Sequence, residues 1–198
     1  MIYYLSISKI KSAIIKARRD FMQIMILSDS HTMEKINVLS LLQKHNIDYY
    51  IHCGDIYMPY DGLPLSNFYV VKGNNDFSDI PTEIDTTIDG LHFFITYGHH
   101  YDIDYGIDTL AAHAKKIGAD IVCFGHTHRP LVETIDNIVF INPGSVTFPR
   151  GGYLEPTYCI LDTTTKKITF YDVKTNTPCN PFGAQKKKTS FFKDLFTK

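Results

Sequence analysis

Short apolar runs of strand length recur through the sequence, separated first by a helical pattern and later by tight turns. This order limits the fold more than any other feature. Residues 24–27, Ile-Met-Ile-Leu, are nearly continuous in apolar character, the pattern of a strand buried on both faces. Residues 33–44 place Ile36, Leu39 and Leu42 at helical spacing, and residues 48–53 and 68–71 are apolar again. Strand, helix and strand in succession predict parallel pairing with right-handed crossovers.

The second half is built differently. Asp89-Gly90 between residues 84–88 and 91–96, and Asp136-Asn137 between 131–135 and 138–141, are hairpin turns. A third hairpin joins 158–161 to 167–173 through a Thr/Lys turn. Residues 108–117 read as a helix closing at Gly118, and 121–125 as a strand. An α/β first half running into a hairpin-rich second half predicts two packed sheets with helices outside.

The chain of 198 residues is 44% apolar and 21% charged, ordinary globular composition for one domain with appendages. No apolar run approaches the roughly 18 residues of a membrane span, so none is expected. Residues 1–21 carry five Lys/Arg against one Asp, and 174–198 six Lys against one Asp, although the whole chain is −1. The intervening body is therefore strongly acidic and unsuited to long nucleic acid. It can still receive a phosphate group if cations sit in it. The expected division is a basic extension at 1–21, a folded domain at 22–175 and a basic tail at 176–198. Within these ends, Ile10, Ile14 and Ile15 fit a short basic helix, and Phe191, Phe192, Leu195 and Phe196 recur at helical spacing. Cys53, Cys123, Cys159 and Cys179 form no metal-binding spacing, and Cys53, Cys123 and Cys159, in apolar strand-like runs, read as buried thiols of a reducing cytoplasm.

The chemistry lies where the apolar runs end. Asp29 and His31 follow the first run, Asp55 the second, Asn74 the third, Gly98-His99 a fourth and Gly125-His126-Thr127-His128 a fifth. Any one of these groups alone is explained by a cap or a turn. Together they are not, because functional groups in an open α/β sheet collect at the carboxyl ends of strands. Carboxylate, imidazole and amide donors without thiolate suit Mn²⁺, Fe²⁺, Zn²⁺ or Co²⁺. There are more donors than one ion needs, which fits two ions sharing a carboxylate.

The motifs DxH, GD, GNxD, GH and GHTH, in this order, resemble the calcineurin-like metallophosphoesterase superfamily. Asn142-Pro143-Gly144-Ser145 and Pro149-Arg150 make the chain similar to its small prokaryotic YfcE-like phosphodiesterase branch. The resemblance runs from about Met22 to Val173. It implies a four-layer αββα sandwich of two mixed β-sheets flanked by helices. It implies a phosphodiesterase acting on a small phosphodiester through in-line attack by a hydroxide bridging two divalent ions, Mn first, with Zn, Fe, Ni and Co as alternatives. Asp29, His31 and His128 would hold one ion, Asp55 would bridge, and Asn74 and His126 would hold the other. Asn75, Asn142, Ser145 and Arg150 would contact the substrate.

Two departures from the family pattern stand out. Tyr97-Gly98-His99 replaces the usual His-Gly-His, so the second ion loses an imidazole, and either Tyr97, a poorer neutral ligand, or His99, two residues on, would complete its site. Asn75 stands where many members carry His, and Asp76 would then support a neighbouring His. His52 and His92 read as structural. A phosphomonoesterase with the same site, and a scaffold module like the retromer subunit of this fold, are the alternative functions. Exposed sheet edges are compatible with a homo-oligomer.

Overall fold

A computed structural model describes residues 22–58, 66–77 and 79–183. The helical readings of 1–21 and of Phe191 to Phe196 lie outside the described residues. In chain order the first half contains β1 (Gln23–Leu27), α1 (Lys35–Leu42), β2 (Tyr49–His52), β3 (Phe68–Val70), β4 (Glu83–Ile88) and β5 (Leu91–Thr96). The second half contains α2 (Asp108–Ile117), β6 (Ile121–Cys123), β7 (Leu131–Ile135), β8 (Ile138–Asn142), β9 (Thr157–Asp162), β10 (Ile168–Asp172) and β11 (Pro178–Cys179).

These strands form two mixed sheets, ordered β11-β10-β9-β1-β2-β3 and β4-β5-β6-β8-β7. β1, β2 and β3 are parallel, as are β5, β6 and β8, while the outer strands add antiparallel pairs. Side chains alternate across each strand. Along β1, Ile24 and Ile26 enter the core between the sheets, whereas Met25 and Leu27 pack with Val38, Leu41 and Leu42 of α1. Along β5, Phe93 and Ile95 face the same central core, and Phe94 packs outward with Leu110 and Ala114 of α2. Three apolar layers thus separate helix, sheet, sheet and helix, giving the αββα sandwich.

Local chemistry explains the connections. Asp89 and Gly90 have φ of 51° and 75°, and Asp136 and Asn137 have φ of 50° and 66°. Two successive left-handed residues match the twist of a two-residue hairpin. α2 begins with Asp108, places Lys115 and Lys116 in its last turn and stops at Gly118, as the helix dipole favours. The face of α1 differs from the expected one: Ile36 is 65% exposed, and Val38, Leu41 and Leu42 make the contact. The first sheet also continues into the segment read as a tail, because Pro178 and Cys179 pair with β10. Cys53, Cys123 and Cys159 lie in the central core, where burial pushes their thiols up. Among the described residues, no helix is long and apolar enough to cross a membrane.

Candidate functional site

The carboxyl ends of β1 and β2, and of β5 and β6, meet at one rim of the sandwich. Within the first sheet, the Asp29 N–H donates to the Gly54 carbonyl at 3.0 Å, and the His31 N–H to that of Asp55 at 3.1 Å. Within the second, the Gly125 N–H donates to the Tyr97 carbonyl at 3.2 Å. Asp29, His31, Asp55, His126 and His128 all have left-handed backbone, with φ between 34° and 67°. Non-glycine residues in that region are uncommon and carry strain of about 1–3 kcal/mol each. Five of them converging here show that the loops are held by their surroundings rather than by local preference.

Asp29, His31 and His128 bring ligand atoms within 4.8 Å of one another. The Nε2 atoms of His31 and His128 are 3.3 Å apart, and His128 Nε2 lies 3.2 Å from Asp29 Oδ1. His31 Nε2 is 3.8 Å from both Asp29 Oδ1 and Asp55 Oδ2, so Asp55 borders the same cluster. The His128 Nδ1–H donates to the Phe148 carbonyl at 2.6 Å. That bond fixes the ring and leaves Nε2 turned toward the carboxylate. Burial works against a charged His128, yet Asp29 and the Phe148 carbonyl outweigh it, and its pKa is raised. Asp29 is wholly buried, and its Oδ2 has no partner among the described residues. A buried carboxylate whose Oδ1 lies beside two imidazole nitrogens and whose Oδ2 has no donor is a donor set that fits a divalent cation.

The other expected ligands surround this cluster. His126 gives its Nε2–H to Asp104 at 3.0 Å, while its Nδ1 is buried and without a partner among the described residues. His99 also has a buried Nδ1 without such a partner, and burial followed by His100 and His126 lowers its pKa. The rings of His99 and His126 lie 5.5 and 5.1 Å from that of Tyr97. Tyr97 itself is 1% exposed, and its hydroxyl stands 2.8 Å from Asp29 Oδ1 and 2.7 Å from Asp55 Oδ2. Burial, then the two carboxylates, push its pKa upward, so it is a neutral hydrogen-bond donor. Asn74 is exposed, and no hydrogen bond joins it to Asp55. Its neighbour Asn75 gives Asp55 both its backbone N–H and its side-chain amide, at 2.9 and 2.7 Å.

The remaining residues build the frame. Asn142 is fully buried, donates to the Gly125 carbonyl and accepts from the Gly144 N–H. Ser145 is fully buried too; its hydroxyl donates to the Asp29 carbonyl and accepts from the N–H groups of Thr147 and Phe148. Arg150 is exposed near His128 and opposes the upward shift of that imidazole. Asp76 accepts from the backbone N–H groups of Gly73 and Tyr57, not from a histidine. His52 accepts from the Gly54 N–H through Nδ1 and pairs with Ser30 through Nε2, a neutral ring inside the frame. His92 binds Asp85 and the Gly118 carbonyl on the second sheet, away from the rim. Glycine permits the close approach of Gly73 to Asp55, since a Cβ there would lie 2.1 Å from Asp55 Oδ1. Sequence reasoning missed Asp104; it sits among Asp102 and Asp108 in a loop where nothing marks one carboxylate over another.

The profile of the calcineurin-like phosphoesterase superfamily domain matches residues 22–166. The chain is 34% identical over 155 residues to the probable metallophosphoesterase YsnB of Bacillus subtilis, covering 76% of this chain and 91% of that protein. It is 34% identical over 170 residues to the phosphodiesterase MJ0936 of Methanocaldococcus jannaschii, covering 74% and 96%. The crystal structure of a predicted phosphoesterase from Streptococcus pneumoniae superposes with a TM-score of 0.71 at 29% identity, covering 78% of this chain and 91% of that one. The chain belongs to the calcineurin-like phosphoesterase superfamily.

Proposed function

We propose that this protein is a divalent-cation-dependent phosphodiesterase acting on a small phosphodiester. The observation that carries the reading is the convergence of Asp29, His31 and His128 within 4.8 Å, with a wholly buried carboxylate oxygen left open. Asp29, His31 and His128 hold the first cation. Asp55, Asn74 and His126, with His99, are the residues for a second. Mn²⁺ suits this oxygen and imidazole set, and Zn, Fe, Ni and Co remain chemically compatible. When bound, such a cation supplies positive charge to phosphoryl oxygens and makes water acidic enough to act as a nucleophile near neutral pH.

The chain's own residues do the rest. Phe148 orients His128, Asp104 orients His126, and Ser145 and Thr147 fix the Asp29 backbone through its carbonyl. Asn75, held on Asp55, and Arg150, exposed beside His128, border the cluster and suit an anionic phosphoryl group, while Asn142 and Ser145 act through the loops that surround it. Free cysteines support a reducing, cytoplasmic setting. The test is turnover of bis(p-nitrophenyl) phosphate against p-nitrophenyl phosphate, with and without Mn²⁺. Cation-dependent cleavage of the diester, lost in Asp55→Ala and His126→Ala, is the expected result. Preference for the monoester overturns the diester reading, and tight cation binding without turnover of either ester leaves a scaffold.

A further inference from the structure

The cation-binding reading above leaves Tyr97 unexplained. Its ring is clamped by two glycines: a Cβ at Gly54 would lie 2.6 Å from Tyr97 Cδ2, and one at Gly125 3.2 Å from the same atom. Gly54 has φ of +111° and Gly125 donates its N–H to the Tyr97 carbonyl, so ring and backbone are fixed together. The ring therefore cannot swing away without moving the ends of both sheets, and the single hydroxyl proton frees Asp55 by turning to Asp29 Oδ1, 2.8 Å from the same oxygen. Asp55 receives three donors: the Asn75 N–H, the Asn75 side-chain amide and the Tyr97 hydroxyl. A carboxylate offers about four lone-pair sites, and bridging two cations takes two of them. One donor has to leave before Asp55 can bridge. Asp29, by contrast, keeps Oδ2 open.

We propose that the Tyr97 hydroxyl is a lock on the second cation position: the protein takes one divalent cation tightly at Asp29, His31 and His128, and a second only when that hydroxyl releases Asp55. This rests on the cation-dependent reading and separates two roles for the same residue. A tyrosine that is merely a poor ligand contributes something to the second cation, so removing its oxygen weakens that cation. A lock opposes the second cation, so removing its oxygen strengthens it.

The experiment is a Mn²⁺ titration of the full chain by equilibrium dialysis with metal analysis, alongside electron paramagnetic resonance. The wild type is expected to retain one Mn²⁺ per chain, and to bind a second at least tenfold more weakly. Tyr97→Phe keeps the buried ring and is expected to tighten the second Mn²⁺ by about tenfold or more, the fold-change that goes with losing a hydrogen bond to a charged group. An exchange-coupled Mn–Mn signal then appears at concentrations where the wild type shows isolated ions. Weaker or unchanged second binding in Tyr97→Phe overturns the lock. Two equally tight ions in the wild type also overturn it, without use of any variant, and leave the cation-dependent reading standing. A wild type that binds no Mn²⁺ overturns both.

Discussion

Asp104 accepts the Nε2–H of His126 at 3.0 Å and leaves the opposite ring nitrogen buried and unpartnered among the described residues, in a ring 5.1 Å from that of Tyr97. A carboxylate behind a ligating imidazole fixes its tautomer and raises its basicity. Asp104→Ala is expected to lower activity by about 10- to 100-fold, with most of the loss recovered at high Mn²⁺. Kinetics across a Mn²⁺ series check this; a loss that no cation concentration recovers contradicts an orienting role.

Cation binding should also appear as stability. A ligand at a hundred times its dissociation constant stabilises the folded state by about 2.7 kcal/mol. For a domain of this size that corresponds to a rise in Tm of about 5–10 °C. Scanning calorimetry with Mn²⁺ and then with a chelator should show the rise and its reversal. Asp29→Asn, which removes the open carboxylate oxygen, should show neither.

Gly73 offers a steric test. A methyl group there would sit 2.1 Å from Asp55 Oδ1 and 2.3 Å from the Asp55 nitrogen, whereas one at Gly152 meets nothing within 4 Å. Gly73→Ala is expected to cost about 1–3 kcal/mol by overpacking, and to weaken cation binding by displacing Asp55. Gly152→Ala should stay within about 0.5 kcal/mol of the wild type. Urea denaturation and Mn²⁺ titration of the pair decide the matter.

His52 sets a pH dependence. Burial, only partly offset by Asp29, Asp76 and Asp55, lowers its pKa to about 4 from the usual 6.5. The unfolded chain therefore binds this proton more readily than the folded one. The stability it contributes is complete above pH 6.5 and is lost as pH falls toward 4, up to about 3 kcal/mol. His52→Gln should flatten the stability profile in that window relative to wild type. Equal slopes in the two proteins, measured by urea denaturation from pH 7.5 to 4.5, would contradict this.

Much of this architecture was legible before any coordinates. The turns Asp89-Gly90 and Asp136-Asn137 were readable because only such residues accept two left-handed positions in succession. α2 was readable because Asp108 and Gly118 mark its two ends. α1 hid its contact face: Lys-Ile-Asn-Val-Leu-Ser-Leu-Leu is apolar on several sides, and only packing selects Val38 over Ile36. At the rim, strand ends announced Asp29, His31, Asp55 and His128, since each follows an apolar run. Sequence alone could not reveal that Asn75, read there as a substrate contact, would give Asp55 two hydrogen bonds, because loop residues point according to backbone angles that no periodicity records. Nor could it show that the Tyr97 hydroxyl stands within hydrogen-bond distance of both carboxylates, from residues 68 and 42 positions away.

The place of β1 has a consequence for biosynthesis. It lies between β2 and β9, and the carbonyl of Asp29 is secured by the hydroxyls of Ser145 and Thr147. A nascent chain leaving the ribosome has Asp29 early, yet it lacks the flanking strand until Thr157–Asp162 has been made. Chains terminated before that point carry the motif letters of Asp29, His31 and Asp55 without a pocket to put them in, and their open β1 edge is a template for association with other unfinished chains.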